Sequence, residues 1–164
     1  MPMDNVTHSL WGLTLVRKIE LLLPIILFSN MPDILSAPFF FYYVKKDRYP
    51  LNPRVLHEWH PPQEYLEFYR FFHSFIGLVI VTAVFNVFFP QYTTIFAICY
   101  ASHIIVDMFS HGGFWATRIL YPFSDFHLKF ARNHWHDSST WKFMYLALLI
   151  INLDILLIKY KLIM

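Results

Sequence analysis

FFHSFIGLVIVTAVFNVFFPQYTTIFAICYASHIIVDMF, residues 71–109, consists of two apolar runs separated by a single proline turn. A helical bilayer crossing takes about 20 residues, within a range of about 17–25. The first run, about Phe71 to Phe89, stops at Pro90. The second, about Tyr92 to Phe109, starts after a turn too short for anything but a helical hairpin. Neither run alternates apolar with polar residues, and one short chain without alternation cannot close a barrel, so both are expected to be helices. A third stretch, about Phe143 to Ile158, has the same character and is interrupted only by Asn152 and Asp154.

The composition agrees. Of 164 residues, 57% are hydrophobic and 15% charged, and the mean hydropathy is +0.42. Soluble domains carry about 25% charged residues. The expectation is therefore an all-α, polytopic membrane helical bundle formed by a single domain over residues 1–164. A net charge of +2 without a dense basic patch argues against a nucleic-acid partner. The lone Cys99 lies in an apolar run, which excludes a disulfide framework and a cysteine-based zinc site. No basic segment precedes an apolar core at the start, so a cleaved signal peptide is not expected.

Residues 9–29 are apolar but broken by Arg17, Lys18 and Glu20, with Pro24 following. A single tilted span would carry those charges into the bilayer at a cost. Two short helices, about 8–17 and 19–30, avoid it, since ten helical residues rise only about 15 Å, roughly half the hydrocarbon core. A partly penetrating hairpin is expected. The 71–109 hairpin then returns the chain to the side it left, which puts segments 45–70 and 110–142 together. These carry Lys45, Lys46, Arg48, Arg54, Arg70, Arg118, Lys129, Arg132 and Lys142, against Arg17, Lys18, Lys159 and Lys161 opposite. The positive-inside rule assigns the richer side to the cytoplasm.

The chemistry concentrates in Ser102-His103-Ile104-Ile105-Val106-Asp107, followed by His111. Residues four apart share a helix face, so His103, Asp107 and His111 form a stripe of imidazole and carboxylate, a metal-ligand set. A His–Asp pair buried only for packing is the alternative. An unpaired aspartate in an apolar span costs about 2.5–3.5 kcal/mol on insertion scales, which favours a functional role. His73 begins the preceding helix, and the hairpin brings it toward His103 and Asp107. Asp4 and His8 repeat the four-residue spacing, although Asp4 equally suits a helix cap. Asp33, in Asn30-Met31-Pro32-Asp33, marks the point where the chain emerges toward the side of His73. His57, His60, His127, His134 and His136 read as interfacial, with His134 and His136 the most ligand-like. Glu58, Glu64 and Glu67 read as a solvated helix face, and Asp154 has no evident partner. The expected metal ligands are therefore His8, Asp33, His73, His103, Asp107, His111 and Asp4. Asp107, His103 and His73 stand nearest any chemistry, and Zn2+ or another divalent transition metal is the matching cofactor.

Met3-Asp4-Asn5-Val6-Thr7-His8-Ser9, Met31-Pro32-Asp33, His73-Ser74, Ser102-His103 through Asp107 to His111-Gly112, and Tyr121-Pro122-Phe123-Ser124 also resemble a known family in order and spacing. These are the bacterial and archaeal membrane-bound metal-dependent hydrolases, including the YdjM-like, LexA-regulated inner-membrane hydrolases. A more distant likeness is to secreted zinc phospholipases C and single-strand nucleases. Those enzymes hold a zinc cluster with an early His, an Asp, a His and a His-x-x-x-Asp pair, the order followed here by His8, Asp33, His73, His103 and Asp107. The resemblance implies hydrolysis of a phosphoester by metal-activated water, in a lipid or lipid-linked substrate, at the cytoplasmic face of a prokaryotic inner membrane. One departure stands out. Many relatives carry His-Arg-Gly-x-Thr-His-Ser where this chain reads Phe68-Tyr69-Arg70-Phe71-Phe72-His73-Ser74, keeping only the final His-Ser. Of the zinc enzymes' later ligands, His111 and His136 are the candidates. The rival class is a non-catalytic protein that binds or transports metal, which would spread its ligands along a path instead of gathering them at one face.

Overall fold

The computed structural model describes residues 5–51, 59–129 and 139–159, and the regular structure among them is helical throughout. Helix α1 (Asn5–Val16) stops where Arg17 adopts φ 56°. The Arg17 amide bonds the Leu13 carbonyl at 2.8 Å, a left-handed helix stop more often supplied by glycine. A 3-10 turn (Ile19–Leu21) then reverses the chain into α2 (Leu22–Ser29). The reversal at Arg17, Lys18 and Glu20 is as expected and leaves all three side chains exposed. Only its first arm is short, because the second runs on past residue 30 instead of stopping part-way into the membrane. Gly12 lets the two helices meet, because a Cβ there would fall 2.0 Å from Ser29 Oγ.

The chain does not emerge at Asp33 as expected. After Asn30, whose amide donates to Ser9 Oγ at 2.9 Å and to the Ile26 carbonyl at 2.7 Å, it runs on as α3 (Met31–Lys46). Pro32 fits there because the first turn needs no amide donor at that position. Ile19–Lys46 is thus one apolar helical run of 28 residues, long enough to cross a membrane, with Asp33 part-way along it.

The expected crossing from Phe71 to Phe89 is also revised. It is broken near its start into α4 (Gln63–Phe72) and α5 (Phe75–Phe88), which meet at 63°. His73 and Ser74 form the joint. Ser74 Oγ accepts from the Gly77 amide at 3.0 Å and donates to the Phe71 carbonyl at 2.8 Å, so one hydroxyl starts α5 and ties down the end of α4. Gly77 must be glycine for this contact, since a Cβ would lie 2.0 Å from the Phe71 carbonyl oxygen. A 3-10 turn (Pro90–Tyr92) leads into α6 (Thr93–Ser110), closing the hairpin the sequence predicts. Helix α7 (Ser139–Lys159) covers the third expected segment. Asn152 anchors it to α1 through Thr14 Oγ1 at 2.9 Å, whereas Asp154 is exposed.

The main core joins α1, α2 and α6 through Leu13, Ile25, Phe28, Phe96, Cys99, Tyr100 and Ile104. A second, aromatic core of Val44, Trp59, Tyr65 and Tyr69 holds α3 against α4. Around them the usual order is inverted. Val79, Ile80, Val84, Val87 and Phe88 on α5 and Leu146, Leu149, Ile150 and Leu153 on α7 face outward, while His8, His73, His103 and Asp107 are buried. An apolar exterior of this extent belongs in lipid. Ile19–Lys46 and Pro90–Ser110 are long and apolar enough to cross, and α4 with α5 adds a third crossing if the bent pair is one broken span.

Candidate metal centre

Four helical elements deliver side chains to one point. On α6, His103 Nε2 lies 3.2 Å from Asp107 Oδ2, as the four-residue spacing requires. From α1, His8 Nε2 lies 3.4 Å from Asp107 Oδ1, and its ring stacks on His103 with centroids 3.7 Å apart. The α4–α5 joint contributes His73, whose Nε2 is 3.4 Å from Asp33 Oδ1, 3.6 Å from Asp107 Oδ2 and 3.3 Å from His103 Nε2. Asp33 enters from the first turn of α3, with Oδ2 3.9 Å from His103 Nε2. The bend at His73–Ser74 is what turns that imidazole inward. Only Asp33 retains any exposure, 17% of its side chain, so the cluster opens to the outside past Asp33.

Two overlapping ligand groups result, His8 with His103 and Asp107, and Asp33 with His73 and His103, each with ligand atoms within 4.8 Å of one another. His111 belongs to neither. Its Nδ1 contacts Asp107 Oδ1 at 3.2 Å and Ser110 Oγ at 2.8 Å, so it supports the carboxylate from the α6 end. Asp4, His57, His134 and His136 lie outside the described residues. His60 is exposed against Phe114, and His127 bonds the Asp125 carbonyl at 2.9 Å, so both stand apart from the cluster. Glu64 and Glu67 are exposed on α4, the solvated face expected of them, and Glu58 lies outside the described residues.

The outer partners fix the chemistry of the inner ring. His103 Nδ1 donates to the Ser29 carbonyl at 2.7 Å, and His73 Nδ1 donates to the Tyr69 carbonyl at 2.9 Å. A carbonyl only accepts, so each Nδ1 carries a proton, and each ring, when neutral, presents its lone pair at Nε2. The two Nε2 atoms face each other at 3.3 Å beside two carboxylates, an arrangement that needs a proton or a cation within it. Both Asp107 oxygens, Asp33 Oδ2 and both His8 nitrogens are buried without a hydrogen bond. Buried polar atoms in proteins nearly always have such a bond. The separations across elements are longer than hydrogen bonds, and the shortest of them match the spacing of two ligands on one metal. Nitrogen–oxygen hydrogen bonds run about 2.7–3.2 Å, whereas two atoms on one tetrahedral metal at about 2.0–2.1 Å stand roughly 3.3–3.4 Å apart. The cross-element pairs here span 3.4–3.9 Å. The donor set fits a divalent transition metal.

Sequence reasoning missed Tyr69, which supplies the carbonyl that orients His73 and stacks its own ring on that imidazole at 4.0 Å. It stands four residues before His73, the spacing that exposed His103 and Asp107, but in the sequence the polar segment ends at residue 70 and a new helix is expected from Phe71, which separates the two. The Ser29 carbonyl was invisible to sequence because any residue would supply it.

Fold and site together define a helical membrane protein with a buried histidine–aspartate cluster. The chain belongs to the YdjM inner membrane protein family, whose model matches residues 3–162. No curated protein and no solved structure matches it.

Proposed function

We propose that the protein is a membrane-bound, metal-dependent hydrolase that cleaves a phosphoester in a lipid or lipid-linked substrate at the cytoplasmic face of a prokaryotic inner membrane. The observation carrying this reading is the ring of inward Nε2 atoms and unbonded carboxylate oxygens around one point. His8, Asp33, His73, His103 and Asp107 would hold zinc or a similar divalent ion, with His103 and Asp107 central to the set. A metal held there supplies Lewis acidity and lowers the pKa of a water, so no protein nucleophile is needed. The two carboxylates balance part of the added charge, and the carbonyls of Ser29 and Tyr69 keep the imidazoles aimed inward. Burial of every ligand except Asp33 limits water access to one direction, from which a substrate would also approach.

Depth supports a lipid substrate. The 28-residue run rises about 42 Å against a hydrocarbon core of about 30 Å. Asp33 lies about 21 Å along it, at its middle and so at the level of acyl chains. The rival, a metal transporter, needs ligands at successive depths, whereas these five gather in a single layer.

The test is turnover by purified, zinc-loaded protein in detergent on a chromogenic phosphodiester, a phosphomonoester and phospholipid mixed micelles. Metal-dependent cleavage of at least one, abolished in Asp33→Asn and His103→Ala, is expected. Zinc uptake into sealed proteoliposomes without cleavage of any of them would favour the transporter instead.

A further inference from the structure

The segment after α6 folds back over the α4–α5 joint. The Phe75 amide donates to the Ile119 carbonyl at 2.8 Å, and the Tyr69 hydroxyl donates to the Trp115 carbonyl at 3.4 Å. This seats Arg118 beside Arg70, near enough for their charges to repel. Arg70 lies in the last turn of α4, three residues before His73 and hence on an adjoining part of the same surface. It is only 6% exposed, and its Nε has no hydrogen-bond partner; the Nε of Arg118 is likewise buried and unpartnered. Arg118 pairs with Asp125, a carboxylate 78% exposed, while Arg70 makes no ion pair with a described residue. Two adjacent guanidinium groups thus keep free buried donors, while the carboxylates that act on Arg70, Asp125 and Glu67, are both exposed. Guanidinium presents forked donors that match phosphate oxygens.

The same segment carries a second feature. Leu120, Phe123 and Phe126 are 48%, 84% and 53% exposed. An anion held by Arg118 therefore has an apolar surface beside it, as a phosphate attached to acyl chains would require.

We propose that Arg70 and Arg118 form the seat for the substrate's phosphate group, next to the histidine–aspartate cluster. This deepens the hydrolase reading and rests on it. Leu120, Phe123 and Phe126 favour a lipid as the source of that phosphate over a soluble phosphoester.

The experiment uses full-length protein in neutral detergent, stripped of metal by chelator so that the seat is measured alone. Two probes are titrated by calorimetry, glycerol 3-phosphate and mixed micelles of phosphatidic acid, with phosphatidylcholine micelles as reference. Arg70→Gln and Arg118→Gln should each weaken both phosphate probes at least tenfold, with Lys46→Gln unchanged. Phe123→Ser should weaken phosphatidic acid alone; no effect of it would assign the seat to a soluble phosphoester. Arg70→Lys keeps the charge without the fork and should fall between, which preserves the test if Arg70→Gln does not fold. Unaltered binding in the folded Arg118→Gln and Arg70→Lys proteins overturns the inference. Zinc content is measured in parallel on unstripped samples and should be unchanged by these substitutions. Arginine-dependent binding in a protein that neither carries nor takes up metal keeps the anion seat and overturns the hydrolase reading, so the two failures are told apart.

Discussion

Asp107→Asn leaves the volume of the side chain intact and removes its charge. In the structure the two oxygens of Asp107 face four imidazoles, His8 and His111 from Oδ1 at 3.4 and 3.2 Å, and His73 and His103 from Oδ2 at 3.6 and 3.2 Å, with no exposure at all. If the carboxylate is a metal ligand, its loss should exceed that of an outer partner, which costs about 10–100-fold in affinity, so at least about 100-fold weaker zinc binding is expected. If Asp107 instead pairs with protonated imidazoles in a metal-free protein, the substitution strands buried positive charge and costs about 3–5 kcal/mol of stability. The assays are zinc content after dialysis against a zinc buffer and thermal unfolding in detergent, each with and without chelator. A site held at 100 times its Kd contributes about 2.7 kcal/mol, so chelation should lower the Tm of the parent and leave Asp107→Asn unmoved. Full parental zinc content in Asp107→Asn would refute the reasoning.

His111→Ala should lose less zinc than Asp107→Asn, because His111 touches the carboxylate and lies outside both ligand groups; equal loss, read by the same zinc assay, would make it a ligand. Gly77→Ala drives a methyl against the Phe71 carbonyl, a rigid neighbour, and should cost about 3 kcal/mol, the upper end for overpacking. Its Tm should fall and its zinc content with it, since the same joint aims His73; an unchanged Tm would refute that role for the bend. Cysteines introduced at Lys46 and Lys129, both exposed, should react with an impermeant reagent from the same side, and one at exposed Lys18 from the other, with native Cys99 buried and silent. Labelling of positions 46 and 129 from opposite sides would contradict the topology.

Much of the centre was legible because its chemistry is out of place in its surroundings. A histidine and an aspartate four apart in an apolar run, and a His-Ser at the start of the helix before it, stand out against lipid-soluble neighbours, and His8 and Asp33 complete the ring. The N-terminal reversal was legible from Arg17, Lys18 and Glu20, charges that a bilayer rejects. What escaped was geometry within apolar sequence. Phe71 to Phe89 reads as one helix because hydropathy is blind to the Ser74 cap and to the Gly77 contact that bends it. Asp33 and its neighbour Pro32 suggested an exit, yet proline in the first helical turn costs nothing and α3 continues. The orienting carbonyls of Ser29 and Tyr69 and the approach of Arg118 to Arg70 depend on tertiary placement alone.

The most direct test is the metal content of the protein purified gently in mild detergent, with X-ray absorption at the zinc edge. The centre predicts at least one tightly held zinc per chain, surrounded by nitrogen and oxygen at about 2.0–2.1 Å with the scattering of imidazole rings. A chain that arrives without metal, takes up none when zinc is offered and shows no thermal shift would contradict the claim that these histidines and aspartates are a metal centre.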